Sequence, residues 1–116
     1  MQIIMGNCGG LSLRDTTNLA HAYAFDVCQN GSYRLYRFDS FSSGKSLYSG
    51  FTSIIAKGLN QSNIIAAVIN GNTFDLYINH RQVASVHDNA YSQGLFGVSA
   101  HAHTEVAYTH AKMWIL

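Results

Sequence analysis

The sequence contains no proline and few charged residues. Its 116 residues include seven Lys and Arg against six Asp and Glu, which gives a formal net charge of +1. The basic residues are spread singly along the chain, whereas binding to nucleic acid or to an anionic membrane usually requires a clustered basic face. The charge pattern therefore argues against both kinds of partner.

Long apolar segments are also missing. No run of apolar residues approaches the ~20 that a membrane-spanning helix needs. The opening MQIIMGNCGG has neither the basic n-region nor the apolar h-region of a signal peptide. Two explanations fit: a cytosolic protein, or an exported protein from which a leader and some upstream sequence have been removed.

The chain does contain enough apolar sequence for a folded core. Hydrophobic residues make up 47% of the composition, which is typical of globular and not of disordered proteins. The length predicts a single domain over residues 1–116. Asn, Ser, Gly and Tyr are abundant, and a surface rich in them suits neutral polar ligands better than ionic ones.

Short apolar segments bounded by Gly, Asn, Asp and Ser predict strands joined by turns. The predicted strands cover residues 2–5, 10–14, 21–29, 33–39, 47–57, 62–70, 73–79, 82–86, 95–102 and 104–116. Asn30-Gly31 between two of them is a hairpin signal, because both residue types accept positive φ. No segment has the pattern of an amphipathic helix, so we expect an all-β, antiparallel β-sandwich.

Two of these strands indicate where the core lies. Residues 62–70 are apolar on both faces, which predicts a strand covered on both sides. In residues 73–79, Phe74 and Ile78 alternate with polar residues and should point into the core. His80 follows directly, and because histidine is enriched at positive φ we expect it to be a turn residue.

Cys8 and Cys28 are the two cysteines, and they allow two interpretations. As free thiols they would be small buried residues, the commoner state in a cytosolic protein. As a disulfide they would close a loop of about twenty residues and stabilise the fold by ~3 kcal/mol. Their positions at strand ends beside turn signals favour the disulfide, and a disulfide favours an extracellular or cell-surface protein.

The order of motifs resembles the concanavalin A-like lectin/glucanase superfamily, in the branch near the 3-keto-disaccharide hydrolases and laminin G-like domains. The matching segments are CGGLSLR, YAFDVCQNGSYRLYRFDS, NTFDLYINHRQVASV, GLFGVSA and the closing VAYTHAKMWIL. The resemblance covers nearly the whole chain. It implies a jelly-roll sandwich, and it implies that Arg14, at the end of CGGLSLR, faces the concave sheet.

The chain departs from this superfamily at its start. Members usually carry further strands before the segment that matches CGGLSLR, so the resemblance implies a truncated or unusually small version of the fold. A sandwich without those strands would expose sheet edges and apolar surface. We therefore expect that two copies pair through an exposed edge.

The carboxylates give little support for catalysis. Glycoside hydrolysis needs two acids placed across the scissile bond, and the glucanase branch carries them as Glu-x-Asp-x-x-Glu, which is absent here. No Gly-x-Ser-x-Gly surrounds a serine either. The sequence thus predicts a non-catalytic protein, with part of a 3-keto-disaccharide hydrolase-like enzyme as the alternative.

Histidines suggest a metal site only weakly. His101 and His103 would share one face of a strand, and with Glu105 or His110 they offer zinc ligands. The competing interpretation is a hairpin rim with solvated histidines, and we favour it because no cysteine or second acid lies nearby. The clustered oxygens that calcium needs are not visible in the local sequence. We predict neither a metal nor a cofactor.

The remaining candidate is a polar binding surface. Sugars are held by aromatic faces and by planar side chains that make paired hydrogen bonds, and the polar sides of the alternating strands supply such groups. The predicted ligand-binding residues are Arg14, Asp26, Arg34, Tyr36, Asp75 and Tyr77. Cross-strand tyrosine pairs and arginine–carboxylate pairs that stabilise a solvated sheet would explain the same residues.

Taken together, these observations predict a carbohydrate-binding or sensing module that holds a neutral glycan on the concave face of one sheet. A structural interaction domain that pairs through its edge is the third possibility.

Overall fold

A computed structural model describes residues 1–16 and 21–109. Within these residues the chain forms ten antiparallel strands. They are β1 Gln2–Met5, β2 Cys8–Thr16, β3 His21–Cys28, β4 Ser32–Phe38, β5 Gly44–Phe51, β6 Ile65–Asn70, β7 Thr73–Ile78, β8 Arg81–His87, β9 Leu95–Ala100 and β10 Glu105–Ala107. No helix among the described residues is long and apolar enough to cross a membrane.

The strands form two main sheets that pack face to face. One sheet has five strands in the order β5-β4-β3-β2-β9, and the other has three in the order β6-β7-β8. The short strands β1 and β10 pair with each other, and β1 also bridges to the segment before β6 through Gln2 and Ser62. The predicted all-β antiparallel sandwich is confirmed.

The core lies between the two sheets. Alternate residues of β3 point inward against alternate residues of β7, and the contributing side chains are fully buried: Tyr23, Phe25, Val27, Phe74, Leu76 and Ile78. Burying each apolar side chain of this size stabilises the fold by about 1.5–3 kcal/mol. The strand over 73–79 therefore packs as its alternation predicted.

The turns adopt the conformations that their residues favour. Gly31 closes the hairpin between β3 and β4 with φ of 93°. Asn79 and His80 join β7 to β8 with φ of 51° and 68°, so both residues of this two-residue turn are left-handed. The prediction of His80 as a turn residue is confirmed.

A disulfide fastens one end of the five-stranded sheet. Cys8 begins β2 and Cys28 ends β3, and the two residues are direct cross-strand partners joined through their sulfur atoms. The predicted pairing is confirmed, and the closed loop contributes about 3 kcal/mol on the chain-entropy model.

Three expected strands differ from those observed. β5 ends at Phe51, because residues 52–57 turn away from the sheet. β6 is covered on one face only, because its residues alternate between partly buried and exposed, and Val68 within it and Ile64 beside it are exposed. The last strand ends at Ala107, and the remainder of that prediction over 110–116 lies outside the described residues.

β9 forms the other apolar edge. It pairs with β2 on one side, and it exposes Leu95, Phe96 and Val98. Val98 pairs with Leu11, whose other partner is the buried Phe25, so Val98 belongs to the inward face of the sheet. The three-stranded sheet leaves this part of the inward face uncovered.

Candidate functional site

The outer face of the five-stranded sheet is built from cross-strand rows. Paired residues of antiparallel strands point to the same face. In one row Asp26 of β3 lies between Arg34 of β4 and Gly10 of β2, and Ser99 of β9 follows Gly10.

The next two rows carry smaller residues in the middle. Ala24 lies between Tyr36 and Ser12, and Ala22 pairs with Phe38. Because the side chains of Ala22, Ala24 and Ser12 are small while Tyr36 and Phe38 on β4 are large, the sheet surface forms a depression beside β4. The alternation of β3 therefore places Tyr23, Phe25 and Val27 in the core and Ala22, Ala24 and Asp26 on the outer face.

This depression is a cleft of about 340 Å³. Its volume is within the range of small-molecule binding sites. It is lined by Ser12, Asp15, Ala22, Ala24, Asp26, Arg34, Phe38, Ser40, Phe41, Ser99, Ala100 and His101.

Asp26 forms the polar floor of the cleft. Its side chain is 3% exposed, and its Oδ2 accepts a hydrogen bond from Arg34 Nε at 2.9 Å. His101 Nε2 lies 3.1 Å from the same oxygen. The carboxylate is thus held by Arg34 and lies next to the His101 ring, and the side chains of both neighbours stay about one-third exposed, so Arg34 and His101 are placed to contact a ligand beside the buried acid.

Phe38 and Phe41 form one wall, and Tyr36 packs against Arg34 and Phe38 without lining the cleft. The Arg34 guanidinium lies 4.7 Å from the centre of the Tyr36 ring, and the rings of Tyr36 and Phe38 are 4.7 Å apart. Phe41, in the loop after β4, is 89% exposed at the rim. An exposed aromatic ring beside polar groups is a common feature of binding sites, since one ligand can use both.

Gly10 is required at the centre of the floor. A methyl group on Gly10 would lie 1.8 Å from the carbonyl oxygen of Phe25, so no other residue fits without moving the backbone. Glycine here also leaves the floor open between Asp26 and Ser99.

A polar cluster anchors the loop that carries Phe41. Asp39 accepts hydrogen bonds from Arg37 and from the hydroxyl of Tyr91, and Arg37 also pairs with Asp88 at 2.9 Å. The Tyr23 hydroxyl donates to Asp88 at 2.6 Å. These contacts tie the ends of β4 and β8 together, so the loop following Asp39 begins at a fixed point.

The same contacts shift several pKa values. The hydrogen bond from Tyr91, together with Arg37, lowers the pKa of Asp39. The pKa of Tyr91 is raised in return by its bond to Asp39. Burial and the bond to Asp88 raise the pKa of Tyr23 to about 12. The cluster thus favours an ionised Asp39 and neutral tyrosines at positions 23 and 91.

The structure brings three of the six predicted ligand-binding residues together. Asp26, Arg34 and Tyr36 share the outer face of the sheet; Asp26 and Arg34 line the cleft, whereas Tyr36 packs against Arg34 and Phe38 without lining it. Asp75 and Tyr77 lie instead on the outer face of the three-stranded sheet, where Asp75 accepts a hydrogen bond from Ser85 and Tyr77 contacts Gln82.

Arg14 lies between the sheets, not on the concave face where the resemblance placed it. Its guanidinium donates to the carbonyl oxygens of Tyr91 and Gly71 at 3.0 and 2.7 Å, and it lies 5.3 Å from the centre of the Phe74 ring. Its φ of 51° coincides with an irregularity in the pairing of β2. That irregularity breaks the alternation on which the expected orientation depended.

The residue-by-residue interpretation missed several cleft residues. Phe38 and Phe41 were not singled out, although an aromatic residue within the Ser-rich segment 40–46 is a usable signal. His101 was considered only as a metal ligand. Its contact with Asp26 could not be inferred, because the pairing of β9 with β2 joins residues far apart in sequence.

The histidine pair does not share a strand face. His103 lies in a turn after β9, with φ of 57°. Within residues 1–16 and 21–109, no three His, Cys, Asp or Glu side chains come together as a metal site would require. His110 lies outside the described residues.

Comparison with known proteins supports the fold. No protein-family model matches the chain, and no curated protein matches it significantly. Among solved structures it resembles the carbohydrate-binding module CBM66 from Bacillus subtilis, with a TM-score of 0.76 and 21% sequence identity. The match covers 89% of this chain and 65% of that one, so the chain spans about two thirds of the solved module. This chain therefore has the β-sandwich fold of a carbohydrate-binding module.

Proposed function

We propose that the protein is a non-catalytic carbohydrate-binding module that holds a neutral glycan in the cleft of the five-stranded sheet. The observation that carries this proposal is the cleft itself, where a buried carboxylate flanked by Arg34 and His101 lies beside Phe38 and the exposed ring of Phe41. The solved carbohydrate-binding module of similar fold supports the same class of ligand.

The chemistry of the cleft suits a neutral sugar. Sugar hydroxyls can donate to the Asp26 carboxylate and accept from Arg34 or His101, and such charge-assisted bonds are the stronger ones. The C–H face of a sugar ring can pack on Phe38 or Phe41. Because Asp26 is already paired with Arg34, neither sign of charge dominates the floor, which favours a neutral ligand over an ionic one.

The Cys8–Cys28 disulfide supports an extracellular or cell-surface location, since disulfides persist in oxidising compartments. We also propose that the sandwich is a jelly roll related to the concanavalin A-like lectins.

Self-association through an exposed edge is a second proposal, carried by β9. This strand contains no charged residue, and it exposes Leu95, Phe96 and Val98 along an open edge. Natural sheets usually protect such an edge with charges or prolines. We expect light scattering at high concentration to show a dimer, and a monomer there contradicts this proposal.

Two tyrosines provide the matched test of the glycan site. Tyr36→Ala removes the ring against which Arg34 and Phe38 of the cleft pack, whereas Tyr77→Ala removes a ring from the outer face of the other sheet. We expect a glycan array followed by titration calorimetry to show binding about ten-fold weaker or more in Tyr36→Ala. Tyr77→Ala should bind as the unaltered protein does.

Weaker binding in Tyr77→Ala with unchanged binding in Tyr36→Ala would indicate that the site lies on the three-stranded sheet. Unchanged binding in both variants would contradict both placements. Turnover of a disaccharide by the unaltered protein would favour the hydrolase alternative, and absence of any glycan binding would favour a structural interaction domain.

A further inference from the structure

The floor of the cleft contains a hydroxyl group that the proposed function has not used. Ser99 of β9 pairs with Gly10 of β2, and Gly10 pairs with Asp26 of β3, so Ser99 shares the outer face with Asp26. The Ser99 Oγ is buried, and it has no hydrogen-bond partner within residues 1–16 and 21–109.

Such a group destabilises the folded protein. On folding the hydroxyl loses its hydrogen bonds to water, and no protein group replaces them. Other polar side chains of the floor are satisfied: Ser12 Oγ donates to Asp15, and Asp26 Oδ2 accepts from Arg34. Ser99 is therefore the floor residue whose buried side-chain atom has no partner in the described part of the chain.

The position of Ser99 explains why this cost would be retained. Gly10 places no side chain between Asp26 and Ser99, so the floor is open between a carboxylate and a hydroxyl. Rotation about the Cα–Cβ bond of a serine is all that is needed to turn its Oγ toward the cleft. A ligand hydroxyl lying over Gly10 would then meet both groups.

We propose that Ser99 hydrogen-bonds a ligand hydroxyl and makes the cleft selective for sugars that carry a free hydroxyl at that position. This inference rests on the proposed function. A site built to bond a hydroxyl discriminates against an analogue that lacks it, because the site's own polar group is then left unpaired. The ligand class is thus a sugar with that hydroxyl free, as opposed to its deoxy or O-methyl analogue.

The test combines two measurements on Ser99→Ala. Thermal unfolding without ligand should show Tm raised by about 2–4 °C, because an unsatisfied buried hydroxyl has been removed. Titration with sucrose, lactose, maltose and cellobiose should show affinity weakened by about 3- to 10-fold for whichever of these the unaltered protein binds. Ser53→Ala, at an exposed loop position, is the control and should change neither value.

Deoxygenated sugars locate the contact. Among the singly deoxygenated forms of the bound disaccharide, one should bind equally well to the unaltered protein and to Ser99→Ala. A merely structural serine would not produce this coupling.

The outcomes separate this inference from the proposed function. If the unaltered protein binds a sugar and Ser99→Ala binds it equally well, or has a lowered Tm, the role of Ser99 is wrong while the module remains. If the unaltered protein binds none of a broad neutral glycan array, the proposed function fails, and this inference fails with it.

Discussion

The two outer faces of the sandwich carry similar residues but have different shapes. On the five-stranded sheet, Asp26 lines a cleft and Tyr36 packs against residues of its wall; on the three-stranded sheet, Asp75 and Tyr77 lie on an open surface. Each pair combines an acid with a tyrosine at outward-facing positions, on the neighbouring strands β3 and β4 in the first case and on β7 in the second. The composition of the strands alone therefore does not make a site.

The neighbours account for the difference. Asp26 adjoins Gly10 on the next strand, accepts a hydrogen bond from Arg34 and lies beside His101, whereas Asp75 is paired across its strands with Val68 and Ser85. Small residues on β3 and β2 lower the sheet surface there, and the large side chains of β4 raise it on one side. A buried, well-partnered acid is the result on one face and a solvated acid on the other.

The largest expected effect is a loss of stability, and it should occur at the core residue Phe74 and not at Phe41 on the rim of the cleft. Phe74→Ala should lower the free energy of unfolding by about 3–5 kcal/mol, because this fully buried ring lies between the two sheets. Phe41→Ala, which removes an 89% exposed ring, should leave stability within about 0.5 kcal/mol and weaken glycan binding. Denaturant unfolding measures both; equal losses would show that Phe41 is a core residue.

The next effect compares the two aspartates directly. Asp26→Asn weakens the contacts with Arg34 and His101, and we expect a loss of about 1–2 kcal/mol in stability, since both partners are partly solvated. Glycan affinity should fall about ten-fold or more. Asp75→Asn should change stability by less than about 0.5 kcal/mol and leave affinity unaltered. A larger effect at Asp75, by calorimetry, would reverse the comparison of the two faces.

We expect protonation of Asp39 to destabilise the folded protein in acid. The folded protein holds the pKa of Asp39 below its unfolded value, first through the Tyr91 hydroxyl and then through Arg37. The stabilisation is therefore complete above the unfolded pKa of about 4 and is lost as pH falls through the lower folded pKa. Tyr91→Phe should flatten the fall of Tm below about pH 4.

A matched substitution on the outer face of the three-stranded sheet controls for the general effect of removing a tyrosine hydroxyl. Tyr77→Phe should leave the acid dependence of Tm as it is, because Tyr77 contacts Gln82 and no carboxylate. If Tyr91→Phe and the unaltered protein lose stability in parallel, Asp39 is not the group that responds.

The smallest effect concerns the turn at the end of the three-stranded sheet. His80→Gly should preserve stability or raise it by about 0.5 kcal/mol, because glycine accepts φ of 68° without the steric cost paid by histidine. Glycan affinity should not change. A drop in Tm, or a loss of affinity, would indicate that the imidazole makes a contact of its own.

The sequence predicted those features that depend on interactions between residues close together in the chain. The left-handed His80, the buried alternation around Phe74 and the cysteine pairing all follow from backbone preferences, side-chain period and strand-end position. Arg14 was misplaced because an irregularity in β2 changes which face the side chain meets. The His101–Asp26 contact was missed because strand order, which no local pattern specifies, brings those residues together.

The sequence by itself determined an all-β chain with its turns, its inward-facing residues and the types of side chain available for binding. These depend on residue preferences and on the two-residue period of a strand, which act over a few positions. Only the tertiary structure decided that Asp26 lines a cleft while Asp75 lies on an open surface. That outcome depends on which strands are neighbours and on the size of the side chains that they place beside each acid.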